Sequence, residues 1–575
     1  MVEPKFHATH YLRVEGVNLA HFVLDTAHLS IIRGGGLMLL RGINRPPGGA
    51  GPRQNHPPEP DNVADWLRRR LADQHVRPVS TGASSGLFAL QLTGDPEAER
   101  LEADLRSFLR QHVTLGHATW VCDVLPASAD FAADRERLLA ANRFAQMHSP
   151  SLVAPEWNAT PEATAVPPCA FDRLRPGTET AMMPPPPGET KPEDRPASPP
   201  ARRRLKYGRS QRRLFYREEA GFPDAPEAAV EADAATEAES PEPAPDGFTQ
   251  DLEELAGPPP PRGLPGQLRD KLAVLYFDGN KFGQLQLKQC RTLKAQRNFD
   301  EAVKGLRREL LRGLLAEMAR DGTTAEANPG WFSRRNNRRL ETLLWGGDEI
   351  LWVVPAWQGW AVLDFFFRTT ADWTVTLADD RGIPVTTRLT HAAGLVFAHH
   401  NAPIHRLTAL ARRLADGVKA QCKRSVPPLD PYTPDANRAD YEILESFDHV
   451  GPNFEAYRRT RVPAWIAETP GDLVLRGADL GLLAQRLREL HDQGFPTRQI
   501  HRASKTWRES KERPDLAGLE KAVREDPNLE SHADRLVAAA RLTGPAAFWY
   551  HLAQLWDYVA RVPAASRPPL PPPRP

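Results

Sequence analysis

Two short stretches carry residues that could do chemistry together. In residues 343–355, LLWGGDEILWVVP, β-branched and aromatic side chains flank Gly346-Gly347, a two-glycine turn signal, and this predicts a hairpin with Asp348 and Glu349 just past its tip. In residues 272–283, LAVLYFDGNKFG, a continuous apolar run of the kind covered on both faces stops at Asp278 and turns at Gly279 into a helical pattern. If the two strands are neighbours, Asp278, Asp348 and Glu349 converge, and crowded carboxylates repel unless a cation sits among them. Mg²⁺, held by carboxylates together with substrate phosphates, is the natural occupant. The alternative is a tight hairpin whose acids face water.

The elements that must position these acids fall in residues 266–425. After the Asp278 strand come helical stretches from Phe282 and over 300–320, then the hairpin, a helix over 357–373, a strand over 389–398 and a helix over 405–422. That order is a ferredoxin-like palm with added helices. Lys419 and Lys423 lie four apart on one side of the last helix, where they could face a triphosphate or simply complement the helix dipole.

Residues 1–125 repeat the plan. A strand over 11–17 precedes a helical run over 21–40 that Gly34 to Gly36 are expected to interrupt, then an additional helix over 63–74, a hairpin over 79–92, a helix over 101–112 and a strand over 117–124. Where the later hairpin carries Asp348 and Glu349, this one carries Ser84 and Ser85, which hold a divalent ion poorly. The expected fold class is therefore α+β, with two ferredoxin-like palms, the first degenerate, followed by a helical C-terminal domain.

Between the palms, residues 126–265 begin with a helix over 131–147 and then read as linker. Residues 184–187 and 192–200 are too rich in proline to be expected in a core. RRRLKYGRSQRRLFYR, residues 202–217, interleaves basic groups with Tyr207, Phe215 and Tyr216, which suits either a nucleic-acid strand or a solvated basic segment. Residues 224–254 hold eleven acids and no Lys or Arg, the composition of a disordered acidic spacer. Residues 426–575 are helical by spacing over 473–490, 516–523, 532–542 and from Pro545, with Trp549 and Trp556 expected in a bundle core and a polyproline tail at the end.

Composition bounds the rest. A chain of 575 residues exceeds one core, and a formal charge of +1 gives no global nucleic-acid or membrane signature. The four cysteines form no CxxC pair, which argues against a disulfide framework and fits a reducing cytoplasm. No run is apolar enough to span a bilayer and no secretory leader is read at the N-terminus, so the expected location is cytoplasmic.

The strand ending in FDGNKFG, the GGDE hairpin and HAAGLVFAHHNAPIHRLTALARRLADGVKAQCK together resemble the second palm of the large polymerase-cyclase subunit of type III CRISPR effector complexes. The resemblance implies a nucleotidyl cyclase that makes a cyclic oligonucleotide messenger from nucleoside triphosphates, usually ATP, with Mg²⁺ or Mn²⁺. Asp278, Asp348 and Glu349 would be the catalytic and metal-binding acids, and Gly346, Gly347, Asn280, Lys419 and Lys423 the nucleotide-binding set. Asn280 stands where the family often has a second acid, and Glu349 where it often has Asp. The family's N-terminal nuclease domain is not expected before the first palm, and Cys169 alone cannot make its cysteine-rich zinc site. Implied partners are guide and target RNA and other effector subunits, or a second copy of the chain if it works alone.

Two other readings compete. The chain could be an RNA-binding scaffold of such a complex with a silent palm, or a GGDEF-like diguanylate cyclase. For the latter, Arg338 and Glu341 fall near the place of an RxxD inhibitory site, although Ile350 replaces the phenylalanine.

Overall fold

A computed structural model describes residues 6–17, 20–44, 62–82, 84–112, 115–149, 166–183, 193–221, 247–258, 260–261, 263–378, 383–425, 427–446 and 453–559. The stretches read as linker over 184–187, as acidic spacer up to residue 246 and as the polyproline tail lie outside them.

The chain is α+β, and the same strand order occurs twice. β1 (His10–Val17), β2 (Val76–Thr81), β3 (Ser85–Leu90) and β4 (Thr119–Pro126) form an antiparallel sheet in the order β2-β3-β1-β4. β7 (Lys271–Gly279), β8 (Glu341–Gly346), β9 (Glu349–Pro355) and β12 (His391–His399) stand as β12-β7-β9-β8, again antiparallel. Both are the split βαβ arrangement expected of a ferredoxin-like unit. The second sheet is extended past β12 by β13 (Arg438–Ile443), which pairs in parallel, and by the two-residue β14 (Leu475–Arg476). Two further hairpins, β5 (Glu179–Met183) with β6 (Glu193–Ala197) and β10 (Thr374–Ala378) with β11 (Pro384–Arg388), stand apart.

β7 is buried on both faces, as its unbroken apolar run predicts. Leu272, Val274 and Tyr276 pack under α12 (Ile404–Arg424) through Leu407, Leu414 and Val418. Ala273, Leu275 and Phe277 pack against α10 (Leu293–Ala319) and α11 (Ala356–Thr370), with Phe277 stacked on Phe366 at 3.7 Å. At about 25 cal/mol per Å² of apolar surface removed from water, this double coverage is what fixes the strand carrying Asp278. The last helices, α15 (Leu480–Asp492), α16 (Thr497–Glu509), α17 (Leu516–Glu525), α18 (Ala533–Thr543) and α19 (Phe548–Leu555), add to the same core, into which Trp556 is buried and against which Trp549 packs. No described helix is long and apolar enough to cross a membrane.

Two expectations fail for one physical reason. Gly34 to Gly36 do not interrupt the helical run: α2 (Leu29–Ile43), which follows the short α1 (Ala20–Val23), continues through them. These glycines let another helix approach, since a Cβ on Gly34 would lie 1.9 Å from the carbonyl oxygen of Arg204. That helix is α6 (Pro199–Ser210), which with α7 (Arg212–Ala220) is the segment read as linker. The prolines at 199 and 200 start α6, where a missing N–H costs nothing. Two of the segment's arginines are internal: Arg204 on α6 donates to both carboxylate oxygens of Asp25 at 2.8 and 2.9 Å, and Arg212 on α7 to the carbonyl of Thr249 at 2.6 Å. Phe215 and Tyr216 are core residues, so their rings offer no stacking platform for bases.

Candidate active site

The acids meet at the end of the second sheet. β7 delivers Asp278 at its C-terminal end, in register with Glu349 of β9 on one side and Ala392 of β12 on the other. The hairpin tip turns at Gly347, whose φ of 56° favours glycine, and a side chain there would meet open space. Gly279 N–H donates to the backbone carbonyl of Asp348 at 3.1 Å, and a Cβ on Gly279 would sit 2.7 Å from the Cβ of Asp348. Only glycine lets the two acid-bearing turns come this close.

The electrostatics follow from that crowding. Asp348 keeps one edge in solvent yet sits deep among protein atoms, and burial, then the charge of Asp278, pushes its carboxyl up to about 6. Burial also raises Asp278, against the pull of Lys419. Lys419 Nζ, reaching across from α12, lies 2.6 Å from Asp278 Oδ2 and donates to the Gly279 carbonyl at 2.8 Å. Lys423, one turn further on, is exposed.

Glu349 is held differently from the expectation. Arg412 Nη2 donates to its Oε1 at 2.7 Å, the Tyr276 hydroxyl donates to the same oxygen, and Arg412 Nε donates to that hydroxyl at 3.2 Å with the guanidinium over the Tyr276 ring. Among the described residues, no three His, Cys, Asp or Glu side chains converge as a metal-holding group. The donor set suited to a divalent cation is thus Asp278 with Asp348: two carboxylates, one of them destabilised as an anion by the other, open to solvent and to substrate oxygens. Two carboxylates completed by phosphates and water are what Mg²⁺ asks of a protein.

Asn280 is buried and bonded within the protein. Its buried amide donates to Thr390 Oγ1 at 3.0 Å and to the Ala436 carbonyl at 2.9 Å, and its N–H to the Thr390 carbonyl at 2.8 Å. The residues of the RxxD-like pattern are likewise internal. Arg338 is buried against Phe248 and Phe332, and Glu341 forms a buried pair with Arg33.

Two residues near the acids escaped the sequence reading. Arg412 stands two helical turns before Lys419 on α12, a spacing that could have marked it. Arg307 on α10 is buried, with its guanidinium 5.4 Å from the Trp345 ring centre and with Nε and Nη1 meeting no acceptor among the described residues. Burial lowers its pKa, while Glu219, Asp300 and Asp348 oppose this. The same helix receives the first palm: Asp300 accepts from Ser80 Oγ at 3.1 Å, and Lys304 donates to Thr81 Oγ1 at 2.9 Å.

The chain is similar to Csm1. A solved Csm1-Csm4 cassette in complex with one ATP matches at a TM-score of 0.49 and 12% identity, covering 96% of this chain and 70% of that one. Csm1 in T. onnurineus matches at 0.49 and 12%, covering 98% and 71%, and a cassette in complex with cA3 at 0.46 and 12%, covering 97% and 70%. These neighbours are subunits of type III CRISPR complexes. No protein-family model and no curated protein matches the sequence.

Proposed function

We propose that the chain is a nucleotidyl cyclase that joins nucleoside triphosphates, ATP foremost, into a cyclic oligonucleotide, within an RNA-guided effector assembly. The observation that carries this reading is the acid pair at the end of a palm sheet, with Asp278 and Asp348 brought together across Gly279 and a lysine on the adjoining helix beside them. A divalent cation held by the two carboxylates would supply the charge that makes a ribose hydroxyl nucleophilic and offsets the departing pyrophosphate. Lys419 is placed to exchange Asp278 for a phosphate oxygen when a triphosphate arrives. Gly347 leaves the hairpin tip free of side chains, so a triphosphate can approach the backbone there. Arg412 and Tyr276 hold Glu349, and with it the start of β9, in one position. Most of the rate enhancement would then come from alignment and fixed charge.

The test is to incubate the purified chain with labelled ATP and Mg²⁺, with and without RNA and partner subunits, and to identify products by mass spectrometry. Cyclic product from the wild type, and its loss by at least 100-fold in Asp348→Asn, is expected. Wild-type levels of product from Asp348→Asn would remove the acid pair from the reaction.

A further inference from the structure

Helix α12 has a second working face. Arg412, Asp416 and Lys419 point to the acid pair's side of the helix, whereas Leu414, Gly417 and Gln421 line a cavity of about 340 Å³ on the other side. Its far wall comes from α13 (Phe454–Arg459), α14 (Ala464–Glu468) and the chain leading to β14, and it is mainly apolar, with Phe454, Ile466 and Leu473 facing Leu414. Gly417 leaves the α12 wall bare, since a Cβ there would meet no heavy atom within 4 Å.

The rim is cationic. Two of its arginines are already engaged, Arg413 with Glu455 at 2.8 Å and Arg458 with Asp440 at 2.6 Å, and their guanidinium groups lie 5.9 and 5.6 Å from the Phe454 ring centre. The other two, Arg424 and Arg459, are exposed and make no ion pair among the described residues. An apolar slot with an aromatic wall, cations at its mouth and room for one small molecule calls for a flat apolar body joined to an anionic group.

We propose that this cavity is a second nucleotide site, separate from the acid pair. It takes a nucleoside monophosphate unit, with the base between α12 and Phe454 and the phosphate at Arg424 and Arg459. The site needs no catalysis at Asp278 and Asp348, so it stands or falls independently of the proposed cyclase.

Equilibrium dialysis of the full chain against labelled AMP without metal tests it. One bound AMP is expected, with adenosine or inorganic phosphate alone binding at least tenfold more weakly. Gly417→Leu, which fills the slot while favouring the helix, and the exposed Arg424→Glu with Arg459→Glu should each weaken AMP at least tenfold. Asp278→Asn with Asp348→Asn should leave it unchanged. Absence of AMP binding overturns the proposal, as does binding indifferent to the Gly417 and rim variants or abolished by the paired Asn variant. Cyclic product formed by a chain that fails to bind AMP would sink this site and leave the cyclase reading intact.

Discussion

Lys419 Nζ sits 2.6 Å from Asp278 Oδ2, so a side chain of α12 supplies the counter-charge for a strand end it does not belong to. Removing it leaves two neighbouring carboxylates without a cation. Lys419→Met should cost roughly 1–2 kcal/mol in metal-free protein by urea denaturation at pH 7.5, because the pair is only partly screened. Mg²⁺ should restore more stability to this variant than it adds to the wild type, and cyclic product should fall at least tenfold. Equal stability and equal activity would show that Lys419 neutralises nothing.

Asp348 should make the metal-free protein sensitive to pH. Its folded pKa of about 6 lies above the ordinary 3.8, so folding favours the protonated form. The stability this contributes is complete below about pH 3.8 and is lost as pH rises through about 6. Asp348→Asn cannot ionise, and it should be more stable than the wild type by at most about 3 kcal/mol above pH 6, with the gap closing toward pH 4. Urea unfolding of both proteins from pH 4 to 8 reads this directly. Mn²⁺ affinity of the wild type should rise over the same interval, and a flat profile would mean that Asp348 is ionised throughout.

Gly394 sets the distance between α12 and the sheet. A Cβ there would lie 1.9 Å from the carbonyl oxygen of Ala411. Gly394→Ala must push the helix off β12, at a cost of roughly 2–4 kcal/mol. Because the helix carries Lys419 and Arg412, activity should fall with stability. Chemical denaturation and product assays together test it, and a variant as stable as the wild type would show that the helix yields without strain.

How much could be read beforehand depends on how local each cause is. The two ferredoxin-like sheets follow from element order and apolar runs, and the strand ends bring Asp278 beside Asp348 and Glu349, while Lys419, read only as a possible triphosphate contact, lies against Asp278. The engagement of Glu349 with Arg412 needed the rotation of α12 over the sheet, which spacing alone does not give. The basic segment misled because RRRLKYGRSQRRLFYR has the composition of an exposed tract, whereas partners distant in sequence, Asp25 for Arg204 and the Thr249 carbonyl for Arg212, hold two of its arginines inside. β13 was missed because Arg438–Ile443, RADYEI, shows little apolar pattern, its charged side chains Asp440 and Glu442 being buried against Arg458 and Arg461.

The longest-range of these hidden pairs joins the two halves of the chain. Arg33 on α2 donates through Nε to Glu341 Oε1 at 2.8 Å and through Nη2 to Oε2, and both side chains are 1% exposed. Glu341 begins β8, the outer strand of the hairpin whose tip carries Asp348, so this pair anchors the acid-bearing hairpin to the first palm. Glu341→Ala strands a buried guanidinium and should cost about 3–5 kcal/mol, with little dependence on salt because the pair is out of solvent. Arg33→Met with Glu341→Leu removes both charges together and should recover most of that stability. If the pair serves only to hold the hairpin, the double variant should also recover cyclic product, measured beside its urea midpoint. A double variant as unstable as Glu341→Ala would mean that the cost comes from packing at β8 and not from the unpaired charge.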